Sequence, residues 1–94
     1  MTDLERKADK YRLDLTTTPE RIKVDFFTSD AVFLEFGDKF LMSCYTWKNK
    51  TGYYAAIYQF TTDNYDCDGT IELVKISDEF FEDKGHAIEW ALKQ

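Results

Sequence analysis

The stretch from Lys39 to Phe60, KFLMSCYTWKNKTGYYAAIYQF, constrains the fold more than any other part of the chain. Two apolar, aromatic-rich runs flank the polar segment Lys48-Asn49-Lys50-Thr51-Gly52. Both runs are dominated by residues that fit a pleated, half-buried surface, and the break between them has turn composition. That pattern predicts the central hairpin of an antiparallel sheet. In the first run Phe40, Met42, Cys44 and Thr46 alternate with Leu41, Ser43, Tyr45 and Trp47. In the second, Tyr53, Ala55, Ile57 and Gln59 alternate with Tyr54, Ala56, Tyr58 and Phe60. Both faces are therefore apolar or aromatic. Two arrangements have this property: strands covered by helices on both sides, or a sheet with one face buried and the other sticky.

The flanking segments supply the remaining elements. Thr2-Asp3-Leu4-Glu5 has capping-box form and predicts a helix from about Asp3 to Arg12, with Leu4, Ala8 and Tyr11 as a narrow apolar stripe. Thr16-Thr17-Thr18-Pro19 ends it, because the residue before proline is pushed towards extended geometry. Arg21 to Phe27 alternates Ile22, Val24 and Phe26 against Arg21, Lys23 and Asp25, which predicts a first strand. A turn at Thr28-Ser29-Asp30 leads to a second strand through Val32, Leu34 and Phe36, closed by the glycine-first loop Gly37-Asp38. Thr61 to Gly69 reads as an acidic loop and Thr70 to Ile76 as a fifth strand. Asp83 is suited to cap a helix over Lys84 to Lys93, with Ala87, Ile88, Ala91 and Leu92 on one face, Trp90 beside it, and Phe80 and Phe81 anchoring its start. The expected architecture is one α+β domain over residues 1–94. It is an antiparallel meander of about five strands with an N-terminal and a C-terminal helix.

Composition narrows the function. A chain of 94 residues with 44% hydrophobic and 17% aromatic content folds as one domain and is not intrinsically disordered. Its net charge of −6 is uneven: residues 1–24 hold six basic and five acidic side chains, leaving six basic and thirteen acidic ones in residues 25–94. Such a balance counts against direct contact with DNA or RNA, which calls for a basic stripe, and favours partners with basic surfaces. The amino end, MTDLERKADK, has no apolar core of a signal peptide, and no run approaches the ~20 apolar residues of a membrane span. The expected address is cytoplasmic, of a cell or of an infected host, with Cys44 and Cys67 as free thiols and no membrane contact.

Few motifs point to chemistry. Asn64-Tyr65-Asp66-Cys67-Asp68-Gly69-Thr70-Ile71 resembles the calcium loop of EF-hand proteins, with oxygen-bearing side chains at loop positions one, three and five, glycine at six and isoleucine at eight. It departs from that pattern at Asn64, which replaces the first aspartate, and at Lys75, which stands where the bidentate glutamate belongs. No flanking helices are expected. The other reading is a strand-connecting loop whose Asn and Asp side chains cap turns. His86 is the only histidine, so neither a zinc site nor a hydrolytic triad has a local signature. Glu79, Glu82 and Asp83 read as a solvated face that favours a helix start. No metal, cofactor or catalytic residue is assigned.

The aromatic cluster is the stronger signal. Tyr45, Trp47, Tyr53, Tyr54, Tyr58 and Tyr65 account for six of the eight Tyr and Trp side chains. Rings of these two types are enriched at binding hot spots, because they bury much area at small rotamer entropy and keep a polar handle. The competing use is to fill a small core. The sequence thus predicts a non-enzymatic protein-interaction module that binds stoichiometrically. An acidic surface of this size suits it to occlude a basic nucleic-acid-binding groove, a comparison with phage inhibitors of defence enzymes resting on size and charge alone. The expected contacts are Tyr45, Trp47, Tyr54, Tyr58, Asp63, Asp66 and Asp68. A small-ligand or metal-binding domain centred on Asn64 to Glu72 is the alternative, and a homodimer through an exposed strand or the aromatic face is compatible with either.

Overall fold

The computed structural model describes residues 2–26, 31–46, 52–60 and 70–94. It begins with helix α1 (Asp3–Tyr11), strand β1 (Thr16–Thr17) and helix α2 (Pro19–Asp25). Strands β2 (Val32–Phe36), β3 (Lys39–Thr46), β4 (Gly52–Phe60) and β5 (Ile71–Ile76) follow, and helix α3 (Lys84–Leu92) closes the chain. The strands form one antiparallel sheet in the order β1-β5-β4-β3-β2, so β2 to β5 are a meander and β1 adds an outer strand beside β5. This is a small α+β domain.

The central hairpin pairs Lys39 to Thr46 with Gln59 to Gly52 in unbroken register, placing Met42 opposite Ala56 and Leu41 opposite Ile57. Its two apolar faces have two different covers. On one face Phe40, Met42, Cys44, Tyr54, Ala56 and Tyr58 are buried with Ala8 of α1, Leu13 and Ile22 of α2. On the other, Leu41, Ala55 and Ile57 are buried under Ala87 and Ala91 of α3. Helices on both sides explain why neither set of alternating positions is polar.

Local chemistry sets the element ends. The Thr2 hydroxyl accepts from the Glu5 amide at 3.1 Å, and the Glu5 carboxylate accepts from the Thr2 amide at 3.1 Å, a complete capping box. Asp83 caps α3, its Oδ1 accepting from the His86 amide at 2.8 Å. Gly37, with φ of +62°, turns β2 into β3. Between β4 and β5 the register slips at Ile57 and Tyr58, which face Lys75 and Leu73, so Val74 of β5 is the extra residue of a bulge. That slip is what lets Ile71, Leu73 and Ile76, spaced two and then three apart, all face the same core.

One expected element is of a different type. Arg21 to Phe27 is not a strand: Pro19–Asp25 is helical, capped by the Thr18 hydroxyl, which accepts from the Arg21 amide at 3.2 Å. Proline at the first helical position needs no amide donor and has the right φ, so Thr18-Pro19 starts a helix as well as ending what precedes it. Ile22 is 2% exposed and Val24 72% exposed, a difference that period-two alternation on one face does not allow. The pair that packs inward is Ile22 and Phe26, one helical turn apart. The fifth strand of the sheet is instead the short β1, expected only as the end of a helix.

Candidate protein-binding surface

The connection from β5 to α3, Ser77 to Asp83, carries four exposed carboxylates, Asp78, Glu79, Glu82 and Asp83, around the half-buried rings of Phe80 and Phe81. It is held firmly. The Ser77 amide donates to the Ala55 carbonyl at 2.9 Å, the Ala55 amide donates to the Ser77 hydroxyl at 3.1 Å, and that hydroxyl donates to the Glu79 carbonyl at 2.9 Å. Further on, Tyr53 and Phe81 exchange both backbone hydrogen bonds, at 3.0 and 2.8 Å. The segment therefore runs on in the lane vacated by β5, and its acidic side chains stand on backbone fixed to the central sheet.

Close packing here depends on Gly52. Its φ is +149°, and a Cβ at this position would lie 3.0 Å from Phe80 Cβ and 3.2 Å from the Phe81 carbonyl oxygen. Only glycine accepts both demands.

Because Phe81 pairs with Tyr53, and Tyr53 with Tyr45, the three rings stand side by side on the α3 face of the sheet. The Tyr45 and Tyr53 rings meet edge-to-face with centroids 5.2 Å apart, and Phe81 lies 6.1 Å from the Trp90 ring of α3. All four are half-buried. This is a row of aromatic groups with one edge in the core, and its Phe81 end belongs to the acidic connection, in which Glu82 and Asp83 follow Phe81 while Asp78 reaches Lys7 of α1.

Two of the four acids, Asp78 and Asp83, have a basic group beside them. Asp78 pairs with Lys7 of α1, which holds its carboxyl below the usual carboxylate range through the hydrogen bond and the ammonium charge. Asp83 is engaged by His86, with Nδ1 3.0 Å from Oδ2. His86 itself is exposed, and among the described residues no group of His, Cys, Asp and Glu is arranged to hold a metal ion.

The residues expected from sequence fall into three groups. Tyr45 belongs to the ring row. Tyr54 and Tyr58 do not: they are 2% and 0% exposed, on the α1 face, and supply packing instead of contact surface. Burial raises the pKa of both phenols. Trp47, Asp63, Asp66 and Asp68, and with them most of the calcium-like loop, lie outside the described residues, as does Cys67. Cys44 is buried, its thiol donating to the Tyr45 carbonyl at 3.5 Å. No helix among the described residues is long and apolar enough to cross a membrane.

Sequence reasoning places Glu79, Glu82 and Asp83 on a solvated face at a helix start, but does not join them to the aromatic row. Ser77-Asp78-Glu79-Phe80-Phe81-Glu82-Asp83 does show two rings flanked by acids on each side. What was not legible is the strand-like pairing that joins Phe81 to Tyr53, because it follows from the chain running on past the end of β5.

A family model described as nucleotide modification associated domain 4 (Nmad4) matches residues 13–94. The match takes in the whole sheet, α2, α3 and the acidic segment, and begins after α1. No curated protein and no solved structure gives a match.

Proposed function

The chain belongs to the nucleotide modification associated domain 4 family, and on that ground together with the acid-rimmed ring row we propose that it is an accessory protein-binding domain of a nucleotide-modifying system. It docks stoichiometrically on a basic surface of a protein partner, of the kind that holds nucleotides or nucleic acid, and is not itself the enzyme. The supporting observation is the row Tyr45, Tyr53 and Phe81, whose last ring belongs to the anchored connection that carries the exposed acids Asp78, Glu79, Glu82 and Asp83. Aromatic anchors with an exposed charged rim are the anatomy of a protein interface, with the rings supplying affinity and the rim supplying steering and register. An exposed acidic rim repels phosphates, so a partner protein fits it better than nucleic acid does.

Affinity capture from the native host tests this reading, with the wild-type chain compared with Glu79→Lys/Glu82→Lys. These two carboxylates hold neither the Lys7 pair nor the α3 cap. The proposal expects a protein with a basic surface to be retained by the wild type and lost by the variant at equal fold stability. Retention unchanged by charge reversal, or turnover of a nucleotide by the purified chain alone, contradicts it.

A further inference from the structure

Helix α1 lies outside the residues that the family model matches, yet its contacts converge on the acidic connection. The ring of Tyr11 meets Phe80 edge-on, with centroids 6.4 Å apart. Lys7, one helical turn before Tyr11, pairs with Asp78. Lys10 Nζ is 5.7 Å from the centre of the same Tyr11 ring. Two of the three cations of α1 therefore stand at this contact. The third, Arg6, donates to Asp3 of the helix itself at 2.9 Å.

We propose that α1 is a built-in competitor for the acidic connection: Lys7 holds Asp78 in the free chain, and a basic partner gains that carboxylate only by putting its own cation in the place of Lys7. This role rests on the protein-binding reading of the surface, and it adds a regulator of that surface's affinity.

The pair is built to be replaced. The Asp78 side chain is 83% exposed and that of Lys7 33%, so an incoming cation reaches the carboxylate while the lysine stem stays against the protein. An ion pair this open holds weakly and breaks when one side chain swings away. The helix need not move, because Ala8 is 2% exposed and Tyr11 stays stacked on Tyr54. Among the described residues Glu79 and Glu82 have no such counter-ion. At Asp78 a partner exchanges one ion pair for another and gains little, whereas at Glu79 and Glu82 it makes new ones. A diffusely basic surface is thereby held less firmly, and the balance shifts towards a partner that also engages the aromatic row.

Calorimetric titration of the full chain with oligolysine at low salt tests the competition, with the unfolding temperature of every variant measured alongside. Lys7→Gln is expected to bind about threefold more tightly than the wild type at a similar unfolding temperature. Arg6→Gln makes the same change of charge one residue away, off the connection, and is expected to gain clearly less. In an Asp78→Asn chain the gain from Lys7→Gln should fall to the Arg6→Gln level, because the carboxylate in dispute is gone. Equal gains from Lys7→Gln and Arg6→Gln, or a Lys7→Gln gain that persists in full without the Asp78 carboxylate, would overturn the competition and leave the protein-binding reading standing. Oligolysine binding that is absent from the wild type, or as strong in Glu79→Lys/Glu82→Lys, would remove the acidic surface itself and the competitor with it.

Discussion

The ring of Tyr11 lies flat on the ring of Tyr54, with centroids 4.2 Å apart and planes 14° apart. Tyr54 comes from the central strand and Tyr11 from the last turn of α1, so this stack fixes a helix whose apolar stripe is thin. Phe80 closes it from the side, edge-on to Tyr11 at 6.4 Å. The same contact thus links α1 to the start of the acidic segment, a link repeated by the Lys7–Asp78 pair.

Removing the stacked ring should loosen both. Tyr11→Ala is expected to cost about 2 kcal/mol in urea unfolding, while Tyr11→Phe, which keeps the ring, stays within about 0.5 kcal/mol. Equal losses in the two variants would mean that the hydroxyl, not the stack, holds the helix.

The buried phenols give a pH dependence on the alkaline side. Desolvation is the main cause raising the pKa of Tyr54 and Tyr58 above 10.0, with Cys44 adding to it for Tyr54 and Asp14 for Tyr58. Below pH 10 the unfolded chain also keeps these protons, so their contribution to stability is complete. Above it the unfolded chain releases protons that the folded chain retains. Stability therefore falls with rising pH by about 1.4 kcal/mol per unit for each phenol. Tyr58→Phe should make that slope shallower. Phenolate absorbance in the folded chain is expected to lack these two rings until unfolding, and normal titration near pH 10 by both would refute their burial.

Gly52 is a position where one methyl group matters. Gly52→Ala meets both an unfavourable φ and a 3.0 Å approach to Phe80, and is expected to cost about 2 kcal/mol or more. The Tyr53–Phe81 pairing should suffer first, seen as faster amide exchange at these two residues than in β3.

Helix α2 makes a sharp contrast between neighbours. Ile22→Ala should cost about 2–4 kcal/mol, because Ile22 is enclosed, whereas Val24→Ala should stay within about 0.5 kcal/mol on its exposed face. In a strand the two would face the same side and behave alike, so comparable losses would restore the strand reading.

Why that segment misled, and the hairpin did not, is a matter of length and context. The two runs of β3 and β4 are long enough for alternation to be unambiguous, and of the two arrangements their double-sided apolarity allows, the structure has the one with helices on both faces. Ile22, Val24 and Phe26 span only five positions, over which spacings of two and of four both fit. The arbiter was the Thr18-Pro19 start signal, read only for what it stops. At the candidate surface, Tyr45 was legible but its neighbours were not. Tyr53 and Tyr54 are adjacent in sequence and equal in chemistry, and which of them is buried depends on which cover is thicker. The α1 face encloses Tyr54 and Tyr58, while α3 packs against β3 and β4 and leaves Tyr53 half-open.

The most direct measurement of the central claim is the salt dependence of partner retention by the wild type and by Glu79→Lys/Glu82→Lys. An acidic rim steering onto a basic surface predicts retention that is strong at low salt, weakens steadily as ionic strength rises, and is nearly absent in the variant at every salt concentration. Retention that is insensitive to salt and equal in both chains would contradict it.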